Sequence, residues 1–139
     1  MATLIRAEIS EKNKYWIDKH RHYELKHFCL QYPEWKRQHA KYDIIVPNIS
    51  QFEQIYSSGT KSDPTFDWVS KRDYYSERIK LIEKAAKEAD YILYKYILKA
   101  VTEGLSYTYL KTILRIPCSK DLYYDRYRRF FWLLNELRG

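Results

Sequence analysis

Histidines and a cysteine near the start of the chain have side chains that bind transition metals. His20, His22, His27 and Cys29 lie in a stretch with helical periodicity. On a helix, His20 and His22 point about 200° apart, at roughly 100° per residue. No pair has the i, i+4 spacing that lets two imidazoles bind one zinc ion. We therefore predict no metal and no cofactor, and expect two helical faces that each carry a partly buried histidine.

Catalytic chemistry has little support elsewhere in the sequence. Cys118 has no nearby histidine or other base that would activate its thiol, so we expect a small buried residue there. Glu83, Glu88 and Asp90 fall on different helical faces and do not form a carboxylate pair for acid–base catalysis. The chain has only three glycines, and no glycine-rich phosphate loop. We predict that the chain is not an enzyme, and no residue is assigned a catalytic role.

The segment with the clearest binding chemistry is Ser119–Phe131, which reads SKDLYYDRYRRFF. Its apolar side chains recur at steps of three and four, which predicts an amphipathic helix anchored in a core. The predicted anchor residues are Tyr123, Tyr127, Phe130, Phe131 and Leu134. The opposite face is predicted to present Lys120, Asp121, Tyr124, Asp125 and Arg128. Lysine, arginine and tyrosine side chains placed in this way can contact phosphates and base edges.

This helix therefore supplies the candidate DNA-binding residues. We expect its N-terminal turns to enter the major groove, and Arg126 and Arg129 on its flanks to contact the phosphate backbone. The candidate residues are Ser119, Lys120, Asp121, Tyr124, Arg126, Arg128 and Arg129. The alternative from the same residues is a plain surface helix with a solvated basic face.

The charge of the chain favours a negatively charged partner. The 139 residues carry a formal charge of +7, with a pI near 9.3. Residues 105–139 hold seven Lys and Arg against three Asp and Glu, a net charge of +4. Residues 1–46 have a net charge of +3, and residues 47–104 have nine charges of each sign. A basic chain of this kind is typical of proteins that bind nucleic acid or another anionic surface.

Composition and periodicity predict an all-α fold with a helical N-terminal hairpin, a long helix and a C-terminal helix-turn-helix. Hydrophobic residues make up 45% of the chain, and Gly and Pro are scarce, which favours helices. We divide the chain into an N-terminal helical region (1–46), a loop (47–62) and a third region (63–139). The loop prediction rests on Pro47 and on the Ser and Gly residues that follow, with at most one helical turn near Phe52–Tyr56.

Two helices are predicted in the first region. Ser10 or Asn13 can cap the first, whose stripe of Trp16, Tyr23 and Leu30 has an interval of seven residues. Pro33 ends this helix and opens a second one that reaches Ile45.

The third region opens with the clearest helix, for which Asp63 is a good N-cap and Pro64 a suitable first residue. Residues at steps of four and three form a heptad seam along this helix: Trp68, Arg72, Tyr75, Ile79, Ile82 and Ala86. A strict heptad predicts packing along another helix. The partner is either an N-terminal helix of the same chain or the same helix of a second chain, which would give a homodimer through the Trp68–Ala86 seam.

The last third has the order of a helix-turn-helix. Asp90 can cap a helix that buries Ile92, Tyr96 or Ile97, and Ala100 or Val101, and Gly104 is suited to end it. Ser106 can cap a short helix from Tyr107 to Leu114. A turn at Arg115–Cys118 follows, where Pro117 forbids a continuous helix. Ser119 can cap the final helix.

Nothing in the sequence suggests secretion or a membrane span. The start, MATLIRAEIS, lacks the apolar segment of a signal peptide, and no apolar run approaches about 20 residues. The two cysteines are far apart and indicate no disulfide framework. We therefore expect a cytoplasmic chain.

The segment YILKAVTEGLSYTYLKTILRIPCSKDLYYDRYRRFFWLLNEL resembles the C-terminal helix-turn-helix of small phage-encoded regulators of Gram-positive bacteria, the ArpU/RinA-like family. It is also similar to the fourth region of sigma factors. The segment EISEKNKYWIDKHRHYELKHFCLQYPEW resembles small prophage proteins of Firmicutes, with no implied activity. The resemblance implies an activator of phage late genes that binds duplex DNA in the cytoplasm of the bacterial host cell. Host RNA polymerase is a further candidate partner.

Two other functions remain open at this stage. A small-terminase-like packaging protein would also bind DNA through a helix-turn-helix, but it would assemble as a ring. A helical protein-interaction module would use the basic helix to bind an acidic partner. The mass in solution distinguishes a packaging protein from a regulator. Salt-dependent binding to duplex DNA distinguishes the regulator and the packaging protein from the protein-interaction module.

Overall fold

The computed structural model describes residues 11–56 and 64–139, with side chains described for residues 11–45 and 67–139. These residues form six α-helices and no strand, which confirms the all-α prediction. The helices are α1 (Lys19–Leu30), α2 (Tyr32–Tyr56), α3 (Pro64–Ala89), α4 (Tyr94–Glu103), α5 (Tyr107–Thr112) and α6 (Lys120–Arg138).

The chain divides into two compact units. We call the two units inner and outer by their place in the sequence. The inner unit is the middle segment Tyr32–Lys80, which holds α2 and most of α3. The outer unit combines the described residues before Tyr32 with Leu81–Gly139. It contains α1, the last turns of α3 and the helices α4 to α6.

The start of α1 differs from the prediction. Asp18 caps the helix, because its carboxylate accepts hydrogen bonds from the backbone N–H groups of His20 (3.1 Å) and Arg21 (3.4 Å). Asn13 instead closes a local turn, in which its side chain accepts from the Tyr15 N–H at 2.8 Å. Ser10, the other predicted cap, lies outside the described residues.

The predicted stripe of α1 is also wrong. Trp16 precedes the helix, and Trp16, Tyr23 and Leu30 are all exposed. The buried side chains of α1 are His22, Leu25, Phe28 and Cys29, on the face that packs against α4 and α6. The heptad spacing identified a helix but selected the wrong face, because a large aromatic stripe need not be the stripe that meets the rest of the unit.

In the inner unit, α2 runs further than expected. It begins next to Pro33, as predicted, but it continues through Pro47 to Tyr56, where the sequence predicted a loop. Proline removes one backbone hydrogen bond and bends a helix, but it does not always end one. The remaining loop residues, 57–63, and the predicted cap Asp63 lie outside the described residues.

Part of the heptad seam of α3 packs against α2 within the inner unit. The Tyr75 ring stacks on the Tyr42 ring of α2 at 6.2 Å between centroids and 13° between planes. Arg72 pairs with Asp43 of α2 at 4.0 Å. An intrachain partner is therefore present along this part of the seam. Ile79, Ile82 and Ala86 are buried, whereas Trp68 is half-buried.

The core of the outer unit consists of α1, α4 and α6 with the alanines at the end of α3. Ile97, Ala100 and Val101 are buried on α4, as predicted. Ile92, which was expected in the same stripe, is 85% exposed. It precedes the regular helix, which begins only at Tyr94, so it does not share the helical phase of the buried residues.

Candidate nucleic-acid interface

The short helix, the turn and the longer helix predicted for the last third are present. Gly104 ends α4 in the left-handed conformation, with φ of 70°. The Ser106 side chain caps α5 by accepting from the Tyr109 N–H at 3.1 Å. Ser119 caps α6 in the same way, with the Leu122 N–H at 3.2 Å. These three predictions are confirmed, and they place the start of α6 directly after the turn.

The turn of residues 113–119 is fastened to the beginning of α5. The Tyr107 hydroxyl donates a 2.7 Å hydrogen bond to the carbonyl oxygen of Cys118. The Ile116 side chain is buried, and its N–H donates to the Leu110 carbonyl at 2.9 Å. Cys118 is half-buried rather than buried. The turn therefore has a defined conformation that fixes α5 relative to α6.

The face that anchors α6 is largely as predicted. Tyr123, Phe130, Phe131 and Leu134 are buried, and Tyr127 is half-buried. His22 of α1 packs edge-on against Phe131, with 4.8 Å between ring centroids. His22 is itself buried, whereas His20 and His27 are exposed. The expectation of a partly buried histidine on each of two helical faces is therefore wrong, because one histidine alone is buried on α1.

The first residues of α6 are available to a ligand. Ser119, Lys120 and Asp121 are all exposed, as predicted for candidate DNA-binding residues. Lys120 lies at the N-terminal end of the helix, where the helix dipole favours an anion. The Asp121 carboxylate also stabilises this end of the helix, but it would oppose a phosphate group placed beside it.

Tyr124 does not point away from the anchor face. Its ring packs near those of Tyr107, Tyr123 and Tyr127, with centroid distances of 6.3, 5.0 and 5.9 Å. Burial raises the pKa of its hydroxyl above the ordinary value. Tyr124 is therefore a half-buried member of an aromatic cluster and not part of an exposed face that it would share with Lys120.

Arg126 is engaged within the protein. Its Nε donates to the Asp90 carboxylate at 3.0 Å, and its guanidinium also pairs with Asp125. Burial alone would raise the pKa of Asp90. Hydrogen bonds from the Leu93 N–H, from Arg126 and from the Ile92 N–H outweigh it and hold that pKa below its usual range. This guanidinium would have to leave two carboxylates in order to contact a phosphate.

Arg128 and Arg129 are less exposed than the sequence predicted. Both side chains are half-buried, and the Nε atom of each is buried without a hydrogen-bond partner in the described part of the chain. The next turns of α6 are in contact with the N-terminal segment: Arg21 donates to Asn135 at 2.6 Å, and Tyr15 lies 6.1 Å from Trp132. Arg128 was expected to face water, and this expectation is wrong for its Nε atom, which is buried.

Two cations that the sequence reasoning did not select lie beside the start of α6. Lys111 is exposed on α5, and Arg115 is exposed in the turn. With Lys120 they form a set that we call the turn cations. None of the three makes an ion pair with the side chains of residues 11–45 and 67–139. The sequence could have identified Lys111 and Arg115 by their position, because one precedes the turn of the predicted helix-turn-helix and the other lies within it.

The backbone at Arg115 is unusual. Its φ is 57°, and it is the only non-glycine residue with a positive φ in the described part of the chain. A side chain in this left-handed region costs about 1–2 kcal/mol relative to a right-handed conformation. Glycine or asparagine would fit more easily, so the arginine side chain at this position is not explained by the backbone.

The described residues contain neither a metal-binding cluster nor a membrane-spanning helix. No group of three or more His, Cys, Asp or Glu side chains comes together within the described residues. No helix in that part of the chain is long and apolar enough to cross a membrane. Comparisons of the chain with protein-family models, with curated proteins and with solved structures find no match.

Proposed function

We propose that the outer unit binds duplex DNA through α5, the turn and the first residues of α6. In this proposal Ser119 and Lys120 lie at the DNA, and Lys111 and Arg115 contact phosphates on either side of the helix start. The buried residues of α6 hold the helix in place from behind. This arrangement is the one that a helix needs in order to present its N-terminal turns to the major groove.

The observation that carries the proposal is that the turn cations are exposed and make no ion pair with the described side chains. Lys111, Arg115 and Lys120 are exposed and unpaired in the described chain, whereas Lys99 pairs with Glu103 at 2.9 Å. Unpaired cations around a structured turn attract an anion without first having to break an internal ion pair. A nucleic-acid backbone supplies several such anions at regular spacing.

The left-handed Arg115 supports the same proposal. Strained residues are often kept at functional sites, where the side chain is needed in spite of its backbone. An exposed arginine has no packing reason to occupy such a position. A phosphate contact supplies a reason for its presence there.

The biological role that we propose for this binding is regulation of transcription, as the resemblance of the last third to phage regulators implies. Host RNA polymerase is then a further candidate partner. A packaging protein would also bind DNA, but as a large ring, so the mass of the chain in solution separates the two. A monomer or a dimer supports the regulator, and a ring supports packaging.

The proposal is tested by titrating duplex DNA at several salt concentrations. Each phosphate contact contributes about 0.9 to the slope of log affinity against log salt. Lys111→Ala and Lys120→Ala should each lower that slope by about this amount. The two variants should keep the melting temperature of the wild type, because both side chains are exposed.

Lys84→Ala is the matched control. Lys84 is an exposed lysine of the outer unit, on α3, and its 3.9 Å pair with Glu88 is of the surface type that contributes little. This variant has the same net charge as the other two. Equal slopes for all three variants would show that general charge, and not the turn cations, governs binding, and the absence of salt-dependent binding would refute the proposal outright.

A further inference from the structure

The first turn of α6 has an exposed apolar side chain that the DNA-binding proposal does not use. Leu122 is 38% exposed, although Tyr123 beside it is buried in the core of the outer unit. The Ser119 side chain accepts from the Leu122 N–H, which gives this residue a fixed place in the first helical turn. A single exposed leucine is common on protein surfaces. Leu122 is distinguished by its position next to the turn cations and by the residues that share its surface.

The helical phase of Leu122 directs its side chain away from the core. At about 100° per residue, Asp121 lies roughly 200° and Leu122 roughly 100° around the helix from the buried Tyr123. Asp121 is exposed, as Leu122 is. Asp125 lies on the same side of the helix, three residues after Leu122, and pairs with Arg126. Leu122 is therefore the apolar member of an outward surface that is otherwise acidic.

The arginines in the first half of α6 are poorly placed to read a guanine from this surface. Arg126 pairs with the carboxylates of Asp90 and Asp125, and the Nε atoms of Arg128 and Arg129 are buried. A guanine shows only acceptor atoms, N7 and O6, in the major groove, and a bidentate arginine or lysine recognises them best. A carboxylate on the same surface repels these acceptors.

An adenine–thymine pair matches the surface better. In the major groove it shows the N6 amino group of adenine as a donor and the C5-methyl group of thymine as an apolar feature. The Asp121 carboxylate can accept from the amino group, and an aliphatic side chain can contact the methyl group. Cytosine also has an amino donor, so the carboxylate alone does not distinguish the two kinds of base pair. The methyl group distinguishes them, and Leu122 has the side chain that can contact it.

We propose that Leu122 contacts the C5-methyl group of thymine when the start of α6 lies in the major groove. This inference rests on the proposed DNA binding and names the base chemistry that the same site recognises. The turn cations contact phosphates, which are the same in every sequence, so they supply affinity without specificity. Leu122 adds a difference in affinity between sequences that place a thymine at this position and those that do not.

The experiment measures the affinity of the full chain for two duplex polymers, poly(dA-dT) and poly(dA-dU), at several salt concentrations. The two polymers differ only in the C5-methyl group, and their phosphate charge is identical. We expect the wild type to bind poly(dA-dT) about two- to fourfold more tightly, as burial of one methyl group predicts. The salt slope should be the same for both polymers, because the phosphate contacts do not change.

Two variants at the same position test the assignment to Leu122. Leu122→Ala should lose the preference for poly(dA-dT) but keep the salt slope, because no charge is removed. Leu122→Met should keep the preference, since methionine is apolar and has a similar volume. A thermal melt of each variant shows that it is folded, and we expect small shifts because Leu122 is an exposed residue.

Ile92→Ala and Ile113→Ala are the matched controls. Both isoleucines are exposed aliphatic residues of the outer unit that lie outside α6. Ile113 is the closer control, because in the sequence it lies between Lys111 and Arg115, which are proposed to contact phosphates. Both variants should retain the wild-type preference for poly(dA-dT).

The outcomes separate this inference from the DNA-binding proposal. Salt-dependent binding of the wild type to both polymers with equal affinity would overturn the role of Leu122 and leave DNA binding intact. A preference that persists in Leu122→Ala would also overturn it, because another residue or the shape of the duplex would then be responsible. The absence of salt-dependent binding to either polymer would refute both proposals together.

Discussion

The Nε atom of Arg126 lies 3.0 Å from the Asp90 carboxylate, and this contact joins α6 to the turn between α3 and α4. The other oxygen of Asp90 accepts hydrogen bonds from the N–H groups of Ile92 and Leu93, each at 2.9 Å. One carboxylate therefore both closes a turn and fixes the middle of α6. Arg126, selected from the sequence as a DNA-backbone contact, has a structural partner that is 36 residues away in the chain.

Replacement of Asp90 should separate these two roles. Asp90→Ala removes the turn acceptor and the partner of Arg126, and should lower the free energy of unfolding by about 2 kcal/mol. Asp90→Asn keeps an acceptor for the two backbone N–H groups, and should cost only about 1 kcal/mol. Urea denaturation at pH 7 measures both values. Equal losses for the two variants would show that the charge of Asp90 contributes everything and the turn acceptor nothing.

The depressed pKa of Asp90 also predicts a pH dependence. The stability that this carboxylate contributes is fully present above its unfolded-state pKa of about 3.9. It is lost as the pH falls through the lower pKa of the folded state, because protonation weakens the contact with Arg126. The difference in unfolding free energy between the wild type and Asp90→Asn should therefore shrink in acid. A difference that stays constant from pH 7 down to acid unfolding would contradict this account.

The buried residue Ile79 of the heptad seam gives a test of the helical packing of α3. Ile79→Ala should lower the free energy of unfolding by about 2–5 kcal/mol, because the residue is 6% exposed. Ile92→Ala is the control, since Ile92 is almost fully exposed and should change stability by less than about 0.5 kcal/mol. Thermal melts of both variants measure these effects. An Ile79→Ala variant with the melting temperature of the wild type would contradict the packing.

Much of the outer unit could be predicted from the sequence because its signals are local. Gly104, Ser106 and Ser119 act on backbone groups within a few residues of themselves, so their identity is enough to place the helix ends. The apolar residues of α6 recur with helical spacing, and they predicted the buried face correctly at Tyr123, Phe131 and other positions.

The wrong predictions concern contacts between residues that are far apart in the sequence, or helix ends that local spacing does not define. Helical spacing places Trp16 and Ile92 in apolar stripes, but both precede the helix that was expected to bury them. Tyr124 was assigned to an exposed face, yet the tyrosines around it give its ring a packed position. The pairing of Arg126 with Asp90 required the tertiary structure, because nothing in either local segment identifies its partner.

The bond between Tyr107 and Cys118 makes a further prediction about the turn. Tyr107→Phe removes a single 2.7 Å hydrogen bond and should cost about 1 kcal/mol of unfolding free energy. Tyr109→Phe is the control, because Tyr109 is exposed and its hydroxyl makes no described hydrogen bond. Amide hydrogen exchange should also speed up at Ile116 in Tyr107→Phe alone. Unchanged exchange and stability would show that the turn is held by other contacts.

Arg115 offers the sharpest separation of stability from binding. Its left-handed backbone disfavours arginine, whereas asparagine enters this region more easily. Arg115→Asn should therefore leave the free energy of unfolding unchanged or raise it, by up to about 1 kcal/mol. If the guanidinium contacts a phosphate, the same variant should bind duplex DNA more weakly and lower the salt slope by about 0.9.

Arg115→Lys is the control, since it keeps the charge in a backbone that suits it no better. A DNA titration and a urea melt on each variant test both statements. An Arg115→Asn variant with wild-type DNA affinity and salt dependence would remove Arg115 from the interface and leave its strained conformation without a functional explanation.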